Sequence, residues 1–177
     1  PDVVAFGKKT HVCGIMAGGR LDEVAGHVFA TSSRINSTFG GGLVDMVRAT
    51  MMLEVIESEH LIPRAAELGA VLLAGLRSLE AEVAVVTAAR GRGLFCAIDL
   101  PDTAIRDAVV HHLFVEERAF VLGCGTRSLR FRPPLTVTAD ELVDGLARVE
   151  RAIRAVTEEA APHRPIEPIE PIEESAS

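Results

Sequence analysis

The spacing of apolar side chains alternates between strand-like and helix-like along this sequence. Residues 2–6 form a short apolar run rich in β-branched side chains, which predicts a strand covered on both faces, as in the sheet of an α/β protein. From residue 43 to about 59, and again from 65 to 82, apolar residues recur every three or four positions. This spacing predicts two long helices, and Pro63 stands where the start of a helix tolerates proline.

Shorter apolar runs follow residue 82, and they predict a small α+β unit. The predicted strands are 83–87, 94–100, 120–122 and 128–131, with a helix at about 104–118 and residues 90–93 as a turn. Thr138 and Glu141 have the spacing of a capping box before a last amphipathic helix. The end of the chain repeats Pro-Ile-Glu three times, a composition that cannot bury a core and predicts disorder.

These patterns predict three segments. Residues 1–60 would be the end of a larger domain with a connecting helix, 61–157 a small C-terminal domain, and 158–177 a disordered tail. The chain begins with Pro1 and enters a strand-like run at once, so we expect the natural protein to continue upstream.

Composition and charge narrow the classes of function. The net charge is −7 and the arginines are scattered along the chain, which argues against a nucleic-acid groove. No apolar run approaches the roughly 20 residues that span a bilayer, and no signal segment opens the chain, so we expect a cytoplasmic protein. The three cysteines, Cys13, Cys96 and Cys124, lack CxxC spacing, which predicts buried thiols rather than disulfides or a metal site.

The only two lysines, Lys8 and Lys9, follow directly after the first predicted strand. A solvated strand end is the simplest interpretation of such a pair. The alternative is a reactive amine, because an ammonium group held against apolar walls loses hydration and its pKa falls. A phosphate-binding P-loop is excluded, since the glycine that it requires five positions before Gly7 is Asp2.

Four segments carry a resemblance to a known family. In chain order they are PDVVAFGKKTHVCGIMAG, SRINSTFGG, RGRGLFCAIDLP and SLRFRPPLTVT. Together they resemble the second half of class III aminotransferases, the pyridoxal-phosphate enzymes of fold type I, from Pro1 to about Val156. The resemblance implies a mixed α/β and α+β fold: the end of a large α/β domain, a long connecting helix and a small C-terminal α+β domain.

The resemblance also implies roles for particular residues. Lys8 would bind pyridoxal 5′-phosphate covalently and transfer a proton as a general base. Ser37 and Thr38 would bind the cofactor phosphate of the partner subunit in a homodimer, and Asn36 of the same segment would lie on the substrate side. Arg130 would bind the substrate carboxylate through two parallel hydrogen bonds.

The implied reaction is transfer of the ε-amino group of L-lysine to 2-oxoglutarate, giving 2-aminoadipate 6-semialdehyde and glutamate. Two alternatives remain open: another ω-amine donor such as 4-aminobutyrate or ornithine, and a non-catalytic remnant that acts as a binding or dimerisation module. We expect this chain to be inactive by itself, because much of the family's cofactor pocket lies upstream. Arg90 and Arg92, which flank a glycine, are expected at the surface or at a domain contact.

Overall fold

A computed structural model of the protein describes residues 1–7, 12–35 and 42–160. The chain divides into two compact units, Pro1–Ile62 and Pro63–Ser177. The Pro-Ile-Glu repeats, predicted to be disordered, lie outside the described residues. The assignment of residues 1–60 and 61–157 to domains of a larger protein stays a prediction.

The first unit contains a hairpin and a helix. Strands β1 (Val3–Phe6) and β2 (Gly14–Ala17) pair antiparallel, with Val3 opposite Ala17 and Phe6 opposite Gly14. A short 3-10 helix, Gly19–Glu23, follows β2. Strand β1 confirms the strand predicted at residues 2–6. The expectation that both of its faces are covered is wrong within the described residues, where Val3 is 45% exposed.

Helix α1 (Leu43–Ser58) confirms the helix predicted from residue 43 to about 59. Helix α2 (Leu61–Glu82) begins about four residues earlier than the predicted start at 65. Pro63 occupies its first turn, where a missing backbone N–H group costs no helical hydrogen bond. The two helices are separate because His60 has a φ of 52°, in the left-handed region.

The second unit contains a four-stranded antiparallel sheet in the order β3-β4-β6-β5. Its strands are β3 (Thr87–Arg92), β4 (Phe95–Asp99), β5 (Leu122–Cys124) and β6 (Ser128–Phe131). The strands predicted at 94–100 and 128–131 are confirmed, whereas the one predicted at 120–122 begins only at Leu122.

The strand predicted at 83–87 and the turn predicted at 90–93 are wrong. Residues 83–86 form a tight turn in which the Val86 N–H group donates to the Val83 carbonyl at 2.8 Å. Both valines are buried, so an apolar run here closes the core beside the end of α2 instead of forming a strand. Strand β3 consequently includes Arg90 and Arg92, and Gly93, with a φ of 53°, turns the chain into β4.

Helices α3 (Thr103–Val115) and α4 (Ala139–Ala160) complete the second unit and pack against each other. The predicted capping box before α4 is confirmed: the Glu141 N–H group donates to Thr138 Oγ1 at 3.2 Å, and the Thr138 N–H group donates to the Glu141 carboxylate at 2.8 Å. At the start of α3 the Asp102 carboxylate accepts a hydrogen bond from the Ile105 N–H group at 2.8 Å. Both helix starts are therefore encoded locally.

One face of the sheet packs on the helices and forms the core. Its most completely buried side chains come from α2, α3, α4, β4 and β6; they are Leu76, Leu113, Ile153, Ile98 and Leu129. The prediction of three buried thiols holds only for Cys96, on this same face of β4, where burial raises the pKa of its thiol. Cys13 and Cys124 are exposed.

Candidate active site

The predicted reactive lysine belongs to the chain segment that connects the two strands of the hairpin. Lys8 itself lies outside the described residues. At the base of this connection, a Cβ atom built on Gly7 would lie 3.0 Å from Cys13 Sγ. A Cβ atom on Gly14 would overlap the ring of Phe6. The hairpin is therefore closed tightly by glycines immediately before and after the lysine segment.

The predicted phosphate-binding residues, Asn36, Ser37 and Thr38, also lie outside the described residues. They precede helix α1, whose N-cap is Gly42, so no cap side chain accepts a hydrogen bond from the first N–H groups of the helix. Free N–H groups at a helix start carry partial positive charge and suit a phosphate group. The one acidic side chain in the first turn, Asp45, forms an ion pair with Arg48. The described residues around this segment thus fit a phosphate-bearing cofactor.

Of the predicted site residues, Arg130 is the one that lies within the described part of the chain. It lies in β6, opposite Ala97 of β4 and Leu122 of β5. Because side chains alternate along a strand, Arg130 points away from the core face that carries Leu129 and Phe131. It therefore belongs to the opposite surface of the sheet, which we call the polar sheet face: Arg90, Arg92, Ala97, Asp99, Ser128 and Arg130.

The guanidinium group of Arg130 has an unsatisfied donor. Its Nε atom is buried, and it has no hydrogen-bond partner among the described residues. An unpaired buried N–H group next to a permanent positive charge is costly, and an incoming carboxylate would remove that cost. An unpaired guanidinium donor of this kind is compatible with binding a carboxylate.

A second polar cluster on this face was not predicted from the sequence as a site. The Asp99 carboxylate accepts hydrogen bonds from Ser128 Oγ at 2.6 Å and from Arg90 Nη2 at 2.9 Å, and Arg127 Nε lies 3.5 Å from it. Arg90, expected at the surface or a domain contact, is half-exposed and takes part in this cluster. The signal in the sequence was a single acid in the apolar run LFCAIDL.

The Asp99 cluster keeps its carboxylate ionised. Burial by itself would raise the pKa of Asp99, but hydrogen bonds from Ser128 and Arg90 and the charges of Arg90 and Arg127 outweigh burial. The pKa of Asp99 is consequently lowered from its ordinary value. The carboxylate is therefore a fixed negative charge on the polar sheet face at neutral pH.

Neither a metal site nor a membrane-spanning helix is found in the part of the chain that the structure describes. It holds no group of three or more His, Cys, Asp or Glu side chains placed to hold a metal ion. No helix within residues 1–7, 12–35 and 42–160 is both long and apolar enough to cross a membrane.

Comparison with known proteins gives a family match and close relatives. Residues 1–153 match the family model described as aminotransferase class III. The chain is 58% identical over 147 residues to the L-lysine-epsilon aminotransferase of Amycolatopsis lactamdurans, a match that covers 82% of this chain. It is 52% identical over 159 residues to the protein of the same name in Streptomyces clavuligerus, which covers 89% of this chain.

The solved structures agree with the sequence relatives. A lysine aminotransferase from M. tuberculosis superposes with a TM-score of 0.83 at 52% identity, over 88% of this chain and 36% of that protein. This likeness confirms the predicted fold class. The chain spans only 33% of the Amycolatopsis relative and 35% of the Streptomyces relative, about a third of their length.

Proposed function

The chain belongs to the class III aminotransferase family, and we propose that it serves an enzyme that transfers the ε-amino group of L-lysine to 2-oxoglutarate. The products would be 2-aminoadipate 6-semialdehyde and glutamate. Identities of 52% and 58% to lysine-epsilon aminotransferases support this donor. The 4-aminobutyrate aminotransferase of Rattus norvegicus is only 35% identical, over 136 residues.

The single structural observation behind this proposal is the unsatisfied Nε atom of Arg130. Both glutamate and 2-oxoglutarate carry a carboxylate beside the carbon that gains or loses the amino group. A guanidinium group binds a carboxylate through two parallel hydrogen bonds and so fixes its orientation as well as its position. In this proposal Arg130 fixes the orientation of the substrate through its carboxylate.

Class III aminotransferases depend on pyridoxal 5′-phosphate in general, and we extend this cofactor to the enzyme that contains this chain. When bound, the cofactor supplies the electron sink that stabilises negative charge at the substrate carbon. Lys8 would hold it covalently and afterwards move a proton to and from that carbon as a general base. Ser37, Thr38 and the start of α1 would bind the phosphate of the cofactor held by the partner subunit of a homodimer. Asn36 would lie on the substrate side.

The activity is proposed for the complete enzyme, by which we mean this chain joined to the remaining two thirds that its relatives possess. The chain alone lacks much of the expected cofactor pocket, so we expect it to be inactive. Full transamination by the purified 177-residue chain with added cofactor would contradict this expectation.

The first experiment locates the reactive lysine. Borohydride reduction of the complete enzyme with bound cofactor, followed by peptide mapping, should label Lys8. Lys8→Ala should abolish labelling at this segment and transamination, whereas Lys9→Ala serves as the matched control and should retain both. Labelling of another lysine would overturn the assignment, and failure of the complete enzyme to bind the cofactor would favour a non-catalytic remnant.

The second experiment identifies the amino donor. Initial rates of the complete enzyme would be compared with lysine, ornithine and 4-aminobutyrate, each with 2-oxoglutarate as acceptor. We expect the highest kcat/KM with lysine. A higher value with either of the other amines would replace lysine as the donor while leaving the family and the roles of Lys8 and Arg130 intact.

A further inference from the structure

Asp99 is the carboxylate on the polar sheet face that lies nearest to Arg130 in the strand register. Arg130 is opposite Ala97, and Asp99 is two residues further along the same strand, opposite Ser128. Diagonal neighbours of this kind have Cβ atoms about 7–8 Å apart, within reach of a long side chain. An unrestrained Asp99 carboxylate could therefore pair with the Arg130 guanidinium group.

The structure shows that this pairing does not form. No ion pair or side-chain hydrogen bond joins Arg130 to another described residue, and its buried Nε atom has no partner. Asp99 instead faces three other groups: Ser128 Oγ at 2.6 Å, Arg90 Nη2 at 2.9 Å and Arg127 Nε at 3.5 Å.

Arg90 holds Asp99 through both a hydrogen bond and its positive charge. The same Nη2 atom that donates to Asp99 also lies 3.1 Å from Ser128 Oγ, so Arg90, Asp99 and Ser128 form a closed triangle of hydrogen bonds. The Nη1 atom of Arg90 donates to the Ala88 carbonyl at 2.7 Å, which fixes the other side of the Arg90 guanidinium group.

The local backbone of β3 is shaped around this arginine. The pairing of β3 with β4 shifts between Thr87 and Arg90, and within this bulge Ala88 has a φ of 54°. A left-handed conformation is unfavourable for alanine, and bulges commonly change the direction in which a side chain points. Here the bulge presents the Ala88 carbonyl to the arginine that engages Asp99.

We propose that Arg90, assisted by Arg127 and Ser128, sequesters Asp99 and so keeps the guanidinium group of Arg130 available for the carboxylate of the substrate. Arg90 is then a positioning residue, which acts through Asp99 and need not touch the substrate. The inference rests on the proposed function of Arg130.

The physical reason is competition for one cation. Arg130 can form two parallel hydrogen bonds with a substrate carboxylate only if no internal carboxylate occupies the same donors. Ion pairs at half-exposed positions are weak and become stronger where one partner is buried, so an internal competitor would weaken carboxylate binding about 3- to 10-fold.

The test measures binding of glutarate, a dicarboxylate without an amino or keto group, to the complete enzyme by isothermal titration calorimetry. Arg90→Gln should release Asp99 and raise the Kd for glutarate about 3- to 10-fold. The double variant R90Q/D99N removes the competitor as well and should return the Kd to within about twofold of the parent value. Transamination should show a raised KM for 2-oxoglutarate and a kcat changed far less.

Arg92→Gln is the matched control. Arg92 is on the same strand and the same sheet face, loses the same charge when replaced, and makes no ion pair with Asp99. Its Kd for glutarate should stay close to that of the parent enzyme. Should R92Q weaken binding as much as R90Q, the effect would be general electrostatics and the proposal would be wrong.

A second variant guards against loss of folding in R90Q. Arg127→Gln removes the more distant partner of Asp99 and should give a smaller increase in Kd that D99N also reverses. The proposal is overturned if R90Q and R127Q leave binding unchanged, or if D99N fails to reverse their effects. Arg130→Gln separates this result from the underlying function: if R130Q binds glutarate as well as the parent enzyme, the proposed role of Arg130 itself is wrong.

Discussion

Replacing Gly69 by alanine should lower the free energy of unfolding of the second unit, whereas the same replacement at Gly145 should raise it. Gly69 lies in α2, directly against the backbone of Gly93 in the turn between β3 and β4. A Cβ atom built on Gly69 would overlap the Cα atom and carbonyl group of Gly93. Because these are backbone atoms of a residue with a φ of 53°, they cannot rotate out of the way as a side chain could.

The expected magnitude combines two effects of opposite sign. Replacing glycine by alanine inside a helix contributes about 1 kcal/mol of stability through helix propensity. Forcing an extra methyl group into a packed contact costs about 1–3 kcal/mol. Since the obstruction at Gly69 is backbone, the upper end of that range applies and Gly69→Ala should lower the free energy of unfolding by about 1–2 kcal/mol.

Gly145 supplies the matched control. It lies in α4, and a Cβ atom built there would meet nothing within 4 Å. Gly145→Ala should therefore keep only the propensity gain and raise the free energy of unfolding by about 0.5–1 kcal/mol.

Urea denaturation and thermal denaturation of the purified chain, each followed by far-UV circular dichroism, measure both variants. For a unit of this size the loss in G69A should lower Tm by about 5–15 °C. The reasoning is refuted if G69A is as stable as the parent chain or more so, or if G145A loses as much stability as G69A.

Three further predictions concern the cap of α4, the buried carboxylate and the thiols. Thr138→Ala should lower the free energy of unfolding by about 1 kcal/mol in urea denaturation, and an unchanged midpoint would show that the capping box does not stabilise α4. Asp99 has a lowered pKa, so its ionised form stabilises the fold above its ordinary pKa of 3.8, and this stability is lost as pH falls through the lower folded value. Asp99→Asn should therefore be less stable than the parent at neutral pH, and the difference in free energy of unfolding should shrink below about pH 4. A difference that stays constant with pH would contradict the lowered pKa of Asp99. Cys13 and Cys124 should react quickly with a thiol reagent and Cys96 only on unfolding, so three equal rates would contradict the burial of Cys96.

Much of the second unit follows from local signals in the sequence. The capping box of Thr138 and Glu141, and the period of apolar residues in α2 and α3, depend only on residues close together in the chain. The run at residues 83–86 misled the prediction because a short apolar stretch does not distinguish a buried strand from a buried turn. What decided it was packing of Val83 and Val86 in the core beside the end of α2.

Within the described residues, the sequence by itself determined the α-helices and the strands β1, β4 and β6. It also gave the resemblance to class III aminotransferases and the candidate residues Lys8, Asn36, Ser37, Thr38 and Arg130. These depend on periodicity and on residues at fixed intervals along the chain. Only the tertiary structure decided which carboxylate stands beside which arginine. The cluster of Asp99 with Arg90 and Ser128 joins three strands of one sheet, and it depends on a bulge and on cross-strand register. Register is set by the burial of a whole sheet face, so no local pattern encodes it.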